Sequence, residues 1–153
     1  MPLKRIAGII GLLLCIETST VNTLELPSQK MKAPDIEKME LSMDNLVVAM
    51  KYHGIQHKEI VLAQAILETG WFKSDNCVKN NNLFGLYDSK NKRYYKFKHW
   101  TCSVEAYKSK FQYKYKTGNY YDFLQKKGYA EDPDYVKKVK NIVIREKLKE
   151  KTS

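Results

Sequence analysis

Glu68 closes the stretch Ala63-Gln64-Ala65-Ile66-Leu67-Glu68-Thr69-Gly70-Trp71, a carboxylate near the end of an otherwise apolar helical pattern. Apolar neighbours such as Leu67 and Trp71 would desolvate it and favour its neutral form, as a general acid near neutral pH requires. Gln64 lies one turn earlier on the same helix face. A solvent-facing glutamate at a helix end is the ordinary alternative, and this stretch alone does not decide between them. Other chemistries have less support. His53, His57 and His99 form no HExxH or comparable ligand spacing, and His53 and His57, interrupted by Gly54, read as surface or capping residues. Neither a GxSxG elbow nor a phosphate-cradling glycine loop occurs. No metal or cofactor is expected. Trp71, Tyr87, Tyr94, Tyr95 and Trp100 offer either sugar-stacking surface or core.

The elements that must position these residues are mainly helical. Ile36, Met39, Met43, Leu46, Val47 and Met50 recur at helical spacing behind Asp35 and ahead of Gly54, which predicts a helix over 35–53. Ile60, Ala63, Leu67 and Trp71 predict a second over 57–71. The period then changes. Asn80-Asn81-Asn82 is turn chemistry, and 83–87 and 93–100 read as short strands of a small hairpin turning over 88–92. Val104, Tyr107, Phe111 and Tyr115 restore helical spacing behind a Ser103 cap, a short segment follows over 120–126, and Asp132-Pro133 opens the last helix. That helix buries Val136, Val139, Ile142 and Val143 and leaves the run after Arg145 to water.

With 153 residues, 43% hydrophobic and 12% aromatic, the chain suits one globular domain and excludes a disordered basic tail. Lys4 and Arg5 ahead of the apolar run Ile6 to Ile16 read as a signal peptide over 1–20, with a flexible leader over 21–34 and the folded domain over 35–150. Cys15 is a candidate lipid-anchoring site, although Leu14 is bulky for the residue before it. The run is short for a bilayer span, so the mature chain is expected to be exported without a transmembrane segment. The net charge is +10, and losing Lys4, Arg5 and Glu17 lowers it only by one. Outside the cytoplasm such a charge favours wall polymers and acidic glycans over nucleic acid, for which no binding signature appears. Cys77 and Cys102 form an even pair that an oxidising compartment would join as a disulfide, with two free thiols as the alternative.

Taken in order, AQAILETGW, NNLFGLY and KKGYAEDPDYVKKVKNIV resemble the glucosaminidase family of bacterial peptidoglycan hydrolases over roughly residues 40–145. The first block alone also resembles lytic transglycosylases. The resemblance implies a mainly α (α+β), lysozyme-like helical domain with a small β-hairpin lobe. It further implies hydrolysis of the β-1,4 bond after N-acetylglucosamine in peptidoglycan glycan strands, by a monomer needing no cofactor. Glu68 becomes the general acid, Gln64 and Trp71 line the site, Asn82, Phe84 and Gly85 shape the cleft floor, and Tyr129 hydrogen-bonds the substrate or attacking water.

Many members carry a second glutamate on the hairpin, where this chain offers only Asp88. Paired carboxylates stand roughly 5 Å apart in retaining enzymes and roughly 6.5 to 9.5 Å apart in inverting ones. Asp88 as base and the substrate's own 2-acetamido group as nucleophile both stay open, with Glu105 reading as a helix N-terminal charge. A lytic transglycosylase and a degenerate wall-binding module remain the alternative functions.

Overall fold

The computed structural model describes residues 35–153. The expected signal peptide, leader and Cys15 anchor lie outside the described residues. A 3-10 turn at Ile36–Lys38 precedes α1 (Met43–Tyr52), α2 (Lys58–Thr69) and α3 (Asp75–Asn80). A hairpin of β1 (Tyr87–Asp88) and β2 (Arg93–Tyr94) leads to α4 (Trp100–Lys110), α5 (Tyr120–Lys126), α6 (Tyr135–Arg145) and α7 (Leu148–Thr152). The architecture is the mainly helical one with a small antiparallel hairpin that the sequence implies. Among the described residues, no helix is long and apolar enough to cross a membrane.

α2 is the central element, packed against α1, α6 and α7. Ile60, Val61, Leu62, Ala63, Ala65 and Ile66 are all buried, so α2 is surrounded over most of its girth rather than along one stripe. Leu46 and Met50 of α1, Val139 and Val143 of α6 and Leu148 of α7 complete the core around it.

Several boundaries differ from the periodicity. The first helix begins at Met43 rather than Asp35, because the Ser42 side chain accepts from the Asn45 amide at 3.1 Å and caps it there. α4 begins at Trp100 behind a His99 cap, and Ser103 sits inside the helix with its hydroxyl donated to the Trp100 carbonyl at 2.7 Å. The run after Arg145 is only partly left to water: its lysines are exposed, but Leu148 is fully buried and Thr152 nearly so.

The hairpin ladder is only two residues per strand, pairing Tyr87 with Tyr94 and Asp88 with Arg93. Its base is held by a bond from the Tyr95 amide to the Leu86 carbonyl at 3.0 Å and by Asn82, whose side-chain nitrogen donates to the Leu86 and Tyr95 carbonyls while its oxygen accepts from the Leu86 amide. One buried amide thus supplements a short ladder.

Candidate active site

Glu68 stands in the last turn of α2, which stops where Gly70 enters the left-handed region at φ 53°. The next two residues stay left-handed, Trp71 at φ 63° and Phe72 at φ 64°. Bulky residues adopt that conformation at a cost of about 1 to 2 kcal/mol each, so the surroundings must enforce it. Thr69 does so. Its buried hydroxyl accepts from the Phe72 amide at 2.8 Å and donates to the Ala65 carbonyl at 2.6 Å, while its carbonyl accepts from the Lys73 and Ser74 amides. The strained turn keeps Trp71 40% exposed and packs Phe72 against the core. Trp71 borders an open groove of about 320 Å³ shared with Leu67, Lys138, Asn141, Ile142 and Arg145.

Gly85 closes against the carboxylate. A Cβ there would lie 3.0 Å from Glu68 Oε2, and its φ of 60° disfavours any side chain. Tyr135 of α6 and Tyr129, just before it, complete the wall. Tyr129 donates its hydroxyl to the Phe84 carbonyl at 2.8 Å and stacks on Tyr135 with ring centroids 5.4 Å apart. Burial pushes the Glu68 carboxyl up from its ordinary value, and the neighbouring Tyr135 hydroxyl partly opposes that shift. Burial, and then the negative charge of Glu68, pushes Tyr135 well above the ordinary tyrosine value. Tyr129 is raised in the same way, again chiefly by burial. A half-buried carboxyl biased toward its protonated form, flanked by two neutral phenols, is equipped to donate a proton to a leaving oxygen.

The structure brings Gly85 and Tyr129 to Glu68, and Phe84 through its carbonyl. It places three of the expected side chains inside the fold. Gln64 shares the Glu68 face, but it is fully buried, its amide taken up by Tyr135 at 3.2 Å and Tyr107 at 2.7 Å. Asn82 is 1% exposed and braces the hairpin. The Phe84 ring is in the core, 4.5 Å from that of Tyr107. None of these three side chains presents a free polar or aromatic surface to a ligand.

Asp88 is engaged elsewhere. Its carboxylate accepts from the Lys90 and Asn91 amides and from the Asn91 side chain at 2.7 Å, closing the hairpin turn. The Asn91 hydrogen bonds hold Asp88 below its ordinary value, so it stays ionised. Across the hairpin, Tyr87 and Tyr94 form an edge-on pair with centroids 5.3 Å apart, each about half exposed. Trp100 is core, its indole nitrogen donating to the Met39 carbonyl at 2.8 Å. Cys77 and Cys102 are both free. The expected disulfide is not formed: Cys77 packs into the apolar core from α3, and Cys102 lies half-buried in the first turn of α4. His57 is stacked on Tyr120 and bonded to the Tyr115 hydroxyl, and among the described residues no cluster of metal-ligating side chains forms.

Tyr135, Tyr107 and Tyr120 were not singled out by the sequence. The signal was a buried-side pattern carrying polar groups: Gln64 on an apolar stripe and Tyr107 on another both need partners once buried.

Residues 43–148 match the family model of glucosaminidases, described as mannosyl-glycoprotein endo-beta-N-acetylglucosaminidase. The chain is also 30% identical to exo-glucosaminidase LytG of Bacillus subtilis (strain 168) over 168 aligned positions. That alignment covers 84% of this chain and 59% of the relative, so the chain spans about three fifths of the relative's length. No solved structure matches it.

Proposed function

From its place in the glucosaminidase family, to which the chain belongs, we propose that it is a glycoside hydrolase that cuts peptidoglycan after N-acetylglucosamine, with Glu68 as the general acid. The observation carrying this reading is the environment of Glu68: a carboxyl raised by burial, pressed by Gly85 and flanked by Tyr129 and Tyr135.

Protonation of the glycosidic oxygen by Glu68 starts cleavage of the β-1,4 bond. One observation supports a reaction run without a paired carboxylate: the Asp88 hydrogen bonds serve the hairpin turn. The 2-acetamido group of the substrate then serves as the internal nucleophile, and water opens the resulting ring to a reducing end. Trp71 and the Tyr87–Tyr94 pair supply exposed aromatic faces for sugar rings. The excess of basic residues draws the domain to the carboxylates of the wall.

Cleavage is internal to the strand, as the family description implies, whereas the LytG name specifies an exo-acting enzyme. A substrate outside the cytoplasm fits residues 1–20 as an export signal, 21–34 as a leader and 35–150 as the catalytic domain. Cys15 would then be the anchoring residue of a lipidated form. The protein acts as a monomer on glycan strands.

The test is digestion of purified peptidoglycan by the wild-type chain and Glu68→Gln, followed by mass spectrometry of the reduced fragments. Internal fragments ending in reduced N-acetylglucosamine, lost in the variant, support the proposal. Fragments one water lighter, ending in anhydro-muramic acid, would instead identify a lytic transglycosylase. Binding to the wall without release of sugar would leave a binding module.

A further inference from the structure

A second concave site lies at the other end of α2 from Glu68. It is a cavity of about 590 Å³, larger than the groove beside Trp71, walled by the end of α1, the second half of α4 and the 3-10 turn Gln112–Lys114. Gln56, which leads into α2, borders it, whereas Glu68 stands in the last turn, so most of a 12-residue helix, roughly 15 Å, separates the two. The cavity shares no lining residue with the Glu68 wall of Gly85, Tyr129 and Tyr135.

Its shape is set by bonds within the fold. Gln112 is 4% exposed, and its Oε1 accepts from the Gln56 amide at 3.0 Å while its Nε2 donates to the Gln56 carbonyl at 2.9 Å, which ties the 3-10 turn to the α1–α2 connection. Lys108 donates its ammonium to the carbonyl of His53, the C-terminal cap of α1, where a cation is favourable. Gly54 makes room for it. A Cβ there would lie 3.0 Å from Lys108 Nζ, and the φ of 64° disfavours any side chain.

The lining offers donors and acceptors with little net charge. Glu105 and Lys108 stand one turn apart on α4 without forming an ion pair with each other. The ammonium spends one of its three donors on the His53 carbonyl, and the Ser109 hydroxyl, donating to the Ala106 carbonyl at 3.4 Å, keeps its oxygen free to accept. Burial holds His53 below the ordinary histidine value, so its ring is neutral near pH 7. Around these groups Tyr52 and Tyr113 are 52% and 58% exposed, and neither belongs to the core.

An anion meets a carboxylate here as well as an ammonium, so the cavity does not select one. A sugar matches it, with apolar ring faces for the tyrosines and with hydroxyl and acetamido groups for Glu105, Lys108 and Ser109. We propose that this cavity is a second saccharide-binding site, taking an N-acetylated sugar of a glycan strand against Tyr52 and Tyr113 and holding the polymer while the Glu68 site acts on it. The identity of the sugar rests on the proposed substrate, whereas the cavity and its lining do not. Two sites on one repeating polymer raise retention through effective concentration, with no new contact in the cleft.

The experiment maps nitrogen-15 amide shifts of the full chain carrying Glu68→Gln, which prevents turnover, on titration with a soluble tetramer of β-1,4-linked N-acetylglucosamine. Two separate groups of amides are expected to move, one around 67–72 and Gly85, the other at 52–54 and 105–113. Adding Tyr52→Ala and Tyr113→Ala abolishes the second group and leaves the first. The same double substitution in the wild-type chain weakens sedimentation with insoluble peptidoglycan roughly tenfold or more and leaves kcat on soluble glycan fragments unchanged. Both tyrosines are more than half exposed, so the variant keeps the core intact.

Shifts confined to the Glu68 group, or a second group that survives the double substitution, overturn the proposal. Shifts of the second group with a sugar-free stem peptide and none with the tetramer overturn it as well, because the cavity would then read peptide. An equal loss of turnover on soluble fragments and on the wall would show damage to the Glu68 site instead of lost retention. Failure of the functional reading shows separately: wild-type chain would release no sugar from peptidoglycan, while the second group of amides still reports its own ligand.

Discussion

The end of α2 and the tip of the hairpin each carry a carboxylate, and they treat it in opposite ways. Glu68 is half-buried, close against Gly85 and raised by burial, with the nearby Tyr135 phenol partly opposing the shift. Asp88 is solvated, tied by Asn91 and Lys90 into its own turn and lowered by those bonds. The first environment keeps a proton available for transfer and the second removes it. What separates them is the surroundings: a turn whose hydrogen bonds claim the carboxylate at Asp88, and burial at Glu68.

The largest effect short of deleting a carboxylate is expected from Gly85→Ala. Its Cβ would fall 3.0 Å from Glu68 Oε2 on a left-handed backbone, so the carboxyl must move. A displacement of that kind costs roughly 100-fold in kcat. Steady-state kinetics on peptidoglycan check it, and a kcat equal to wild type would show that Gly85 does not hold the acid in place.

Thr69→Val sharpens the same end through its backbone. The variant keeps the shape but leaves the Phe72 amide without its acceptor, costing about 1 to 3 kcal/mol of stability by chemical denaturation. Loosening the turn that carries Trp71 should also raise KM.

Asn91→Ala probes the other end. It removes the side-chain donor from Asp88, and kcat should change by no more than the factor of about two that corresponds to ~0.5 kcal/mol for a surface substitution.

The smallest effect is a pH dependence of stability. The folded-state value of Glu68 is raised, so the carboxyl costs nothing while protonated and opposes folding as pH climbs through that value. Glu68→Gln should therefore melt higher than wild type at neutral pH, by about 2 to 4 °C at most, and the gap should close below the ordinary glutamate range. Thermal melts at a series of pH values read it directly.

Glu68 stood out as a candidate because its signal is local: a carboxylate, an apolar helical stretch and a terminating Gly70 lie within one segment. The helical plan was legible for the same reason, since stripes such as Val139, Ile142 and Val143 report burial directly. What the sequence left unread depended on partners distant in sequence. Gln64 and Asn82 looked like cleft residues because they are polar beside the motif, and only the fold shows that Tyr107, Tyr135, Leu86 and Tyr95 use up their hydrogen bonds. The pairing of Gln64 with Tyr107 spans 43 residues, and no periodicity reports it. The first helix was overextended because apolar spacing continues through Met39, while the Ser42 cap sets the start. The disulfide expectation rested on a count of two, and both thiols are free.

The comparison of kcat for Glu68→Gln and Asp88→Asn on the same peptidoglycan tests most directly whether one carboxylate carries the chemistry. The account predicts a loss of about 100-fold to 10,000-fold for Glu68→Gln, the usual contribution of a general acid, and near wild-type turnover for Asp88→Asn. Equal losses in both would contradict it, because Asp88 would then be a catalytic partner rather than a brace of the hairpin.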